Sequence, residues 1–280
     1  MVGPQAKREA IKFLINIKKF KPYRAYKLVG LRPSTFYYKK INSRDDLKLK
    51  EKILEIAQKR IRWGCPRIYE IVRREGFKDN YKRVERLYAQ MGLSIRKRPK
   101  KKMRDHLRLV LPEPQKPNQI WSMDFVSEKL FDQRRFRCFN IVDDFTRENV
   151  VIHPDRSIKS EKLVTIFNKL KQTRGLPEMI VCDNGPEFIS QNLDIWAYQN
   201  KVELKFIQPG KPTQNAYIES FNGKFRDECL NQHWFLNLDE AKVEIEAWRK
   251  DYNENRPHSS LRMKTPNEFA KEFSEVKLIS

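Results

Sequence analysis

Histidine and cysteine are scarce in this chain, four of each in 280 residues. The cysteines, Cys65, Cys138, Cys182 and Cys229, lie far apart with no paired-ligand spacing. That argues against a zinc site and against a disulfide framework, and thiols kept reduced in a cytoplasm are the expectation. No run of 18 apolar residues occurs, so no transmembrane helix and no membrane partner is expected. The opening stretch, Met1 to Phe20, scatters Lys and Glu among its apolar positions and does not read as a signal peptide. Acidic residues are short on one side only. Up to Gln115, 33 Lys and Arg face 11 Asp and Glu, whereas from Lys116 onward there are 25 of each. The whole formal excess of +22 therefore sits in the N-terminal part. This points to a polyanion-binding half and a neutral half. A merely solubilising excess would have no reason to stop at one boundary.

The boundary is readable. A basic run, Arg96-Lys-Arg-Pro-Lys-Lys-Lys102, is followed by Leu111-Pro-Glu-Pro-Gln-Lys-Pro117, with three prolines in seven residues. Proline at that density cannot continue a helix and favours extended chain, so residues 95–117 read as a basic linker. Before it, residues 1–94 read as short basic helices. Ala6–Phe20 carries helical spacing, "GLRPSTFYYKK" places Ser34 and Thr35 at a helix start, Asp45–Arg60 has an apolar face, and "GCPRIYEIVRREG" is closed by Gly76. Asn80–Met91 ends at Gly92. This order fits two helix-turn-helix-like units with Arg and Lys outward, in which the second helix enters the major groove. The candidate DNA contacts here are Arg67, Arg73, Lys82, Arg83 and Arg86, with Arg96, Lys97 and Arg98 in the basic run. Short basic helical pairs also serve as protein-docking modules, and that alternative stays open.

After the linker the period changes from helical to alternating. In "QIWSMDFVSEKL", Trp121, Met123 and Phe125 share one face, and Ser122, Asp124 and Val126 the other, as on a strand. "RRFRCFNIVDDFTRENVVIHP" reads as two strands joined at Asp143–Arg147, and its two aspartates read as turn residues. A helix over Ser160–Thr173, a strand over Met179–Asp183, a helix over Asn192–Asn200 and a fifth strand in "VELKFIQP" follow. The order βββαβαβα implies a mixed α/β domain with helices packed on a sheet, spanning residues 118–280. In "VCDNGPEF" an apolar strand ends on Asp183, a carboxylate that costs free energy unless paired, hydrogen-bonded or bound to a cation. In "QPGKPTQNAYIESFNGKFRDECL" a Gly/Pro loop opens a helix. On it Asn215, Glu219, Asn222 and Arg226 share a face, apart from the stripe of Tyr217, Ile218, Phe221 and Phe225.

Asp124, Asp183 and Glu219 are separated by 58 and then 35 residues. Together they resemble the carboxylate triad of retroviral-integrase-like transposases. Arg226, seven residues past Glu219, matches the basic residue that such enzymes carry. "DYNENRPHSSLRMKTPNEF" at 251–269 is similar to the C-terminal signature of the bacterial insertion-sequence group. "WGCPRIYEIVRREGF" resembles the helix-turn-helix segment of the insertion sequence 3 family, second-reading-frame (OrfB) type. The likeness covers nearly the whole chain. It implies an RNase H-like fold with a mixed five-stranded sheet and flanking helices, preceded by an all-α helix-turn-helix region. It further implies a DNA transposase that nicks at element ends and transfers the exposed 3′-hydroxyls, working as a homo-oligomer on terminal inverted repeats and target DNA. A frameshift fusion with an upstream OrfA-type product belongs to the same expectation.

The chemistry fits these residue types. Cleavage and strand transfer are in-line displacements at phosphorus, in which attacking and leaving oxygens both carry developing negative charge. Two divalent ions about 3.5–4 Å apart serve both oxygens. Mg²⁺, with Mn²⁺ as substitute, takes oxygen ligands and keeps several waters, so the carboxylates of Asp124, Asp183 and Glu219 suffice as ligands. Without metal, such a cluster repels and a raised pKa is expected. Arg226, with Asn222 and Asn215 on the same face, is expected to position DNA phosphates. His258 reads as structural or DNA-facing rather than catalytic. Two other readings stay open: a DNA-binding regulator with an inactive core, and an RNase H-type nuclease acting on RNA–DNA hybrid.

Overall fold

A computed structural model describes residues 3–38, 45–95, 113–208 and 215–279, with backbone alone for residues 45 and 274–279. The basic run containing Arg96, Lys97 and Arg98, most of the linker and the loop at 209–214 lie outside the described residues. The chain forms two compact units, Met1–Glu51 and Lys52–Ser280.

The first unit holds α1 (Pro4–Asn16), α2 (Pro22–Val29) and α3 (Pro33–Tyr37). Each opens with proline in its first turn, where a missing N–H costs nothing. Gly30 ends α2 in the left-handed conformation, φ 65°, which suits a residue without Cβ. Ile11, Ala25 and Tyr26 are its buried centre, and Phe36 and Leu14 pack on them. Helix α4 (Asp45–Lys59) crosses from this unit into the next.

In the second unit, α5 (Cys65–Arg74) and α6 (Tyr81–Gln90) follow α4 and form the helical pair read from sequence. Their apolar faces, Ile68 and Val72 on α5 and Val84 and Leu87 on α6, are fully buried. Asn80 caps α6 by accepting from the Arg83 N–H at 2.9 Å. Beyond residue 113 comes a five-stranded sheet: β1 (Ile120–Lys129), β2 (Arg135–Asp143), β3 (Asn149–Asp155), β4 (Met179–Cys182) and β5 (Glu203–Phe206). The strand order is β3-β2-β1-β4-β5. The first three strands are antiparallel neighbours, while β4 and β5 run parallel to β1.

Both sheet faces are covered, which explains the apolar alternation on each. Trp121, Met123, Phe139 and Ile141 pack with α7 (Ser160–Thr173) and α8 (Gln191–Asn200) through Phe167, Leu170 and Trp196. Val126, Cys138, Val142 and Ile152 pack on the other side with α9 (Ala216–Glu228) and α10 (Leu238–Glu254). There Ile218, Phe221 and Phe225 of α9 are essentially inaccessible. The chain closes with α11 (Pro266–Ile279). No described helix is long and apolar enough to cross a membrane.

Candidate active site

Asp124 sits mid-β1, on the face that β1 turns toward α9. Alternation places Trp121 and Met123 under α7 and α8, and Ser122, Asp124 and Val126 on the opposite side. Directly across the antiparallel ladder from Asp124 is Asn140 of β2. Asn140 is fully buried, and its Nδ2 donates to Asn222 Oδ1 of α9 at 2.7 Å. Asn222 Nδ2 in turn donates to Asp124 Oδ2 at 2.8 Å. The other Asp124 oxygen accepts from the Phe125 N–H at 2.6 Å. This chain of amides ties the strand carboxylate to the helix that carries Glu219.

Asp183 follows the last residue of β4, and β4 pairs with β1. Its Oδ1 accepts from the Gly185 N–H at 3.0 Å. Gly185 is needed here for close approach: a Cβ would stand 3.0 Å from that oxygen and 3.4 Å from the Phe188 ring. The loop is fixed further by Arg137 of β2, which pairs with Glu187 and lies 3.9 Å over the Phe125 ring. Phe125 stacks on Phe188 at 5.1 Å between centroids. Glu219 lies in the first turn of α9 and is exposed.

Asp183 and Glu219 both lie close enough to Asp124 for their charges to act on it. Burial first, with the negative charges of Asp183 and Glu219 adding to it, raises the Asp124 carboxyl to about 6 against the two hydrogen bonds it accepts. Glu219 is also raised, by burial. Among the described residues no lysine or arginine forms an ion pair with Asp124, Asp183 or Glu219, and no three His, Cys, Asp or Glu side chains make a ready-formed metal cage. The donor set still suits a hard cation: carboxylate oxygens, mutual repulsion, and space beside Asp183 that only glycine leaves open.

The DNA-facing residues proposed from sequence divide. Arg226 is half-exposed, and its guanidinium lies 3.4 Å from both Glu128 Oε2 and the Ser127 carbonyl of β1. Asn222 faces Asp124 rather than solvent. Asn215 is buried at the start of α9 with its Oδ1 lacking a hydrogen-bond partner among the described residues. Arg73, Lys82 and Arg86 are exposed, and Lys78, Lys82, Arg83 and Arg86 line an open concavity at the start of α6. Arg83 pairs with Asp79 at 2.7 Å. Arg67 is not on the outer face. It is half-buried, donates to the Pro257 carbonyl at 3.2 Å, and its pKa is lowered to about 10 by burial and by Arg256.

Sequence reasoning passed over Asn140 and Arg137. Asn140 had a signal: a lone amide inside the apolar run "CFNIV" costs free energy unless it is partnered. Arg137 had none, because an arginine near a strand end reads as solvated. Asp143 closes β2 and Asp144 opens the turn, at the strand-end turn that the sequence suggested: Asp143 accepts from the N–H groups of Asn118, Phe145 and Thr146 at 2.8–3.0 Å. His258 is buried and edge-on to Tyr252, 4.9 Å between centroids, within the core.

The chain matches the integrase core domain family at residues 114–212 and again at 200–266, and the HTH-like domain family at 44–102. It is 47% identical over 263 residues to the 31.7 kDa protein of insertion element IS407 from Burkholderia multivorans, covering 93% of each chain. It is 42% identical over 272 residues to the 39.2 kDa protein of insertion element IS476 from Xanthomonas euvesicatoria, covering 97% of this chain and 79% of the relative. In fold it resembles a chain of the simian T-cell lymphotropic virus intasome, solved in complex with PP2A regulatory subunit B56 gamma. That likeness has a TM-score of 0.51 at 17% identity and covers 78% of this chain and 74% of the other.

Proposed function

Because the chain belongs to the insertion-element transposases that carry an HTH-like segment ahead of an integrase core, we propose that Asp124, Asp183 and Glu219 form its catalytic site. They serve nicking at element ends and transfer of the exposed 3′-hydroxyls into target DNA. The observation that carries this reading is the convergence itself. The negative charges of Asp183, at the end of β4, and Glu219, on α9, both act on the buried Asp124 of β1, and among the described residues no lysine or arginine pairs with any of the three. Repulsion of that kind is uneconomical in a folded protein unless a cation relieves it.

Integrase cores are metal-dependent, and here Asp124, Asp183 and Glu219 are the residues that would hold Mg²⁺ or Mn²⁺. When bound, divalent ions supply Lewis-acid stabilisation to the attacking and leaving oxygens of a phosphodiester. The protein's own part is positional. Asn222, locked by Asn140, orients Asp124. The Gly185 turn and the Arg137–Glu187 pair orient Asp183. Arg226 presents a guanidinium within two helical turns of Glu219, where a phosphate of the DNA end competes with Glu128 for it. Arg73, Lys82, Arg83 and Arg86 supply sequence-independent contacts to backbone phosphates, and the segments 1–94, 95–117 and 118–280 act as DNA-holding region, linker and core. The working form is a homo-oligomer on terminal-repeat DNA, with or without an upstream OrfA-type product.

The test is metal-dependent nicking and strand transfer on duplex element ends. Asp124→Asn, Asp183→Asn and Glu219→Gln keep shape and remove charge. Each is expected to abolish both reactions while DNA binding persists. Substantial activity in any one variant removes that residue from the site. An inert wild type that still binds duplex DNA would instead fit a regulator.

A further inference from the structure

A second cluster of charge lies outside the carboxylate site. Lys224 is on α9 but on another face from Glu219, five residues on and about 140° around the helix. Lys224 Nζ donates to Ser220 Oγ at 3.0 Å, and Ser220 is exposed. Arg67 of α5, partly exposed, bonds the carbonyl of Pro257 next to Arg256, and Arg256 bonds Glu228, one turn beyond Lys224 on α9. Arg147 comes from the β2–β3 turn, where it donates to the Asp144 carbonyl and lies 3.9 Å over the ring of Tyr217 on α9. Arg256, essentially inaccessible, donates twice to Glu228 at 2.7 and 2.6 Å and sits 3.4 Å from His258 Nε2.

The charges do not balance. Glu228 is matched by Arg256, and among the described residues no carboxylate pairs with Lys224, Arg67 or Arg147. All four cations act on one imidazole: burial first, then Arg256, Lys224, Arg67 and Arg147, hold His258 neutral with a pKa lowered to about 2. Burial and the neighbouring cations push the Lys224 ammonium down to about 8. Three unpaired cations gathered from three separate elements cost free energy that an anion would offset. The elements also say which anion. Arg67 belongs to the HTH-like segment and Lys224 to the helix of Glu219, so a polymer crossing from one to the other passes all three cations.

We propose that Lys224, Arg67 and Arg147 form a phosphate subsite that takes a backbone phosphodiester of duplex DNA between the HTH-like segment and the carboxylate site. This rests on the transposase reading above. The experiment measures the affinity of the full chain for terminal-repeat duplex by fluorescence anisotropy across a salt series, for wild type, Lys224→Gln, Lys224→Arg and Arg147→Gln. Losing one phosphate contact flattens the log–log salt slope by about 0.9. Lys224→Gln and Arg147→Gln are each expected to show that change with a several-fold weaker Kd, and Lys224→Arg to retain the wild-type slope. In nicking assays the loss is expected in KM for DNA. An unchanged slope in both glutamine variants, or a fall in kcat alone, overturns the subsite. Orthophosphate at constant ionic strength separates the sources. If it raises the Tm of wild type but not of Lys224→Gln while the DNA slope is the same in both, the site takes free phosphate and the DNA assignment falls. If Lys224→Gln does not fold, the Arg147→Gln slope decides. A wild type that binds no duplex at all overturns the transposase reading together with the subsite.

Discussion

Asp143 and Asp144 are adjacent in sequence and opposite in their energetics. Asp143 is fully buried but accepts three backbone N–H groups and faces Arg174 Nη2 at 3.4 Å, so its charge is well served. Asp144 accepts from Ser122 Oγ at 2.8 Å, and its second oxygen is buried without a hydrogen-bond partner among the described residues. Burial raises the Asp144 carboxyl to about 8, against an ordinary value near 3.8. A folded pKa above the unfolded one means that the native state binds the proton more tightly. The carboxyl therefore costs nothing below about pH 4, and its penalty grows as pH rises from there to about 8. Asp144→Asn removes that titration. It is expected to be close to wild type in stability near pH 4 and more stable above pH 8, by up to about 6 kcal/mol, since about four pKa units at about 1.4 kcal/mol each separate the folded and unfolded values. Urea unfolding of both proteins at the two pH values checks this. An equal difference at both values would mean that folding does not shift the Asp144 carboxyl.

At the scale of elements, the site depends on how a turn and two strands are joined. Gly185 follows β4 in the loop, with Asp183 Oδ1 only 3.0 Å from where its Cβ would be. Gly185→Ala is expected to shift the Asp183 carboxylate and cut nicking at least about tenfold, equivalent to about 1.4 kcal/mol, while Tm moves by only a few degrees. A variant with wild-type activity would show that the Asp183 turn has slack. Phe221, buried between β1–β2 and α10, makes the opposite case: Phe221→Ala is expected to cost about 3–5 kcal/mol in urea unfolding, because it opens a cavity under the helix of Glu219. Much of this was legible in advance. Alternation in "WSMDF" put Asp124 on the face opposite Trp121, and the spacing of Ile218, Phe221 and Phe225 put Glu219 on the other side of α9. What the pattern does not encode is neighbourhood between strands. That β4 lies beside β1, and that Asn140 stands opposite Asp124, follow from register, which no local period specifies. The outer-face reading of Arg67 fails for the same reason: helical spacing says which residues share a face, but not that the 257 carbonyl would lie beside it.

At the scale of the molecule, the excess of positive charge ends at the linker, but packing does not follow charge. Helices α5 and α6 belong to the compact unit that contains the sheet. Their attachment runs through arginines: Arg60 to Asp251, Arg67 to the Pro257 carbonyl, Arg74 to Glu268 and the Met263 carbonyl. Most of these are partly exposed, and such pairs contribute about 0.2–1 kcal/mol each. The Arg256–Glu228 pair is different, since it is buried and doubly bonded, and the 256–258 segment beside it receives Arg67. Glu228→Gln leaves a buried guanidinium without its counter-charge, and Arg256→Met leaves a buried carboxylate. Either single change is expected to cost about 3–5 kcal/mol, and the double change distinctly less than their sum, because no stranded charge remains. Hydrogen exchange adds a spatial readout. If the pair fastens α5 to the sheet unit, the α5 amides between Cys65 and Arg74 lose protection in step with those of β1 in Glu228→Gln. Loss of protection in β1 alone would show that α5 is held by its apolar face, Ile68 and Val72, and that the buried ion pair serves only the C-terminal segment.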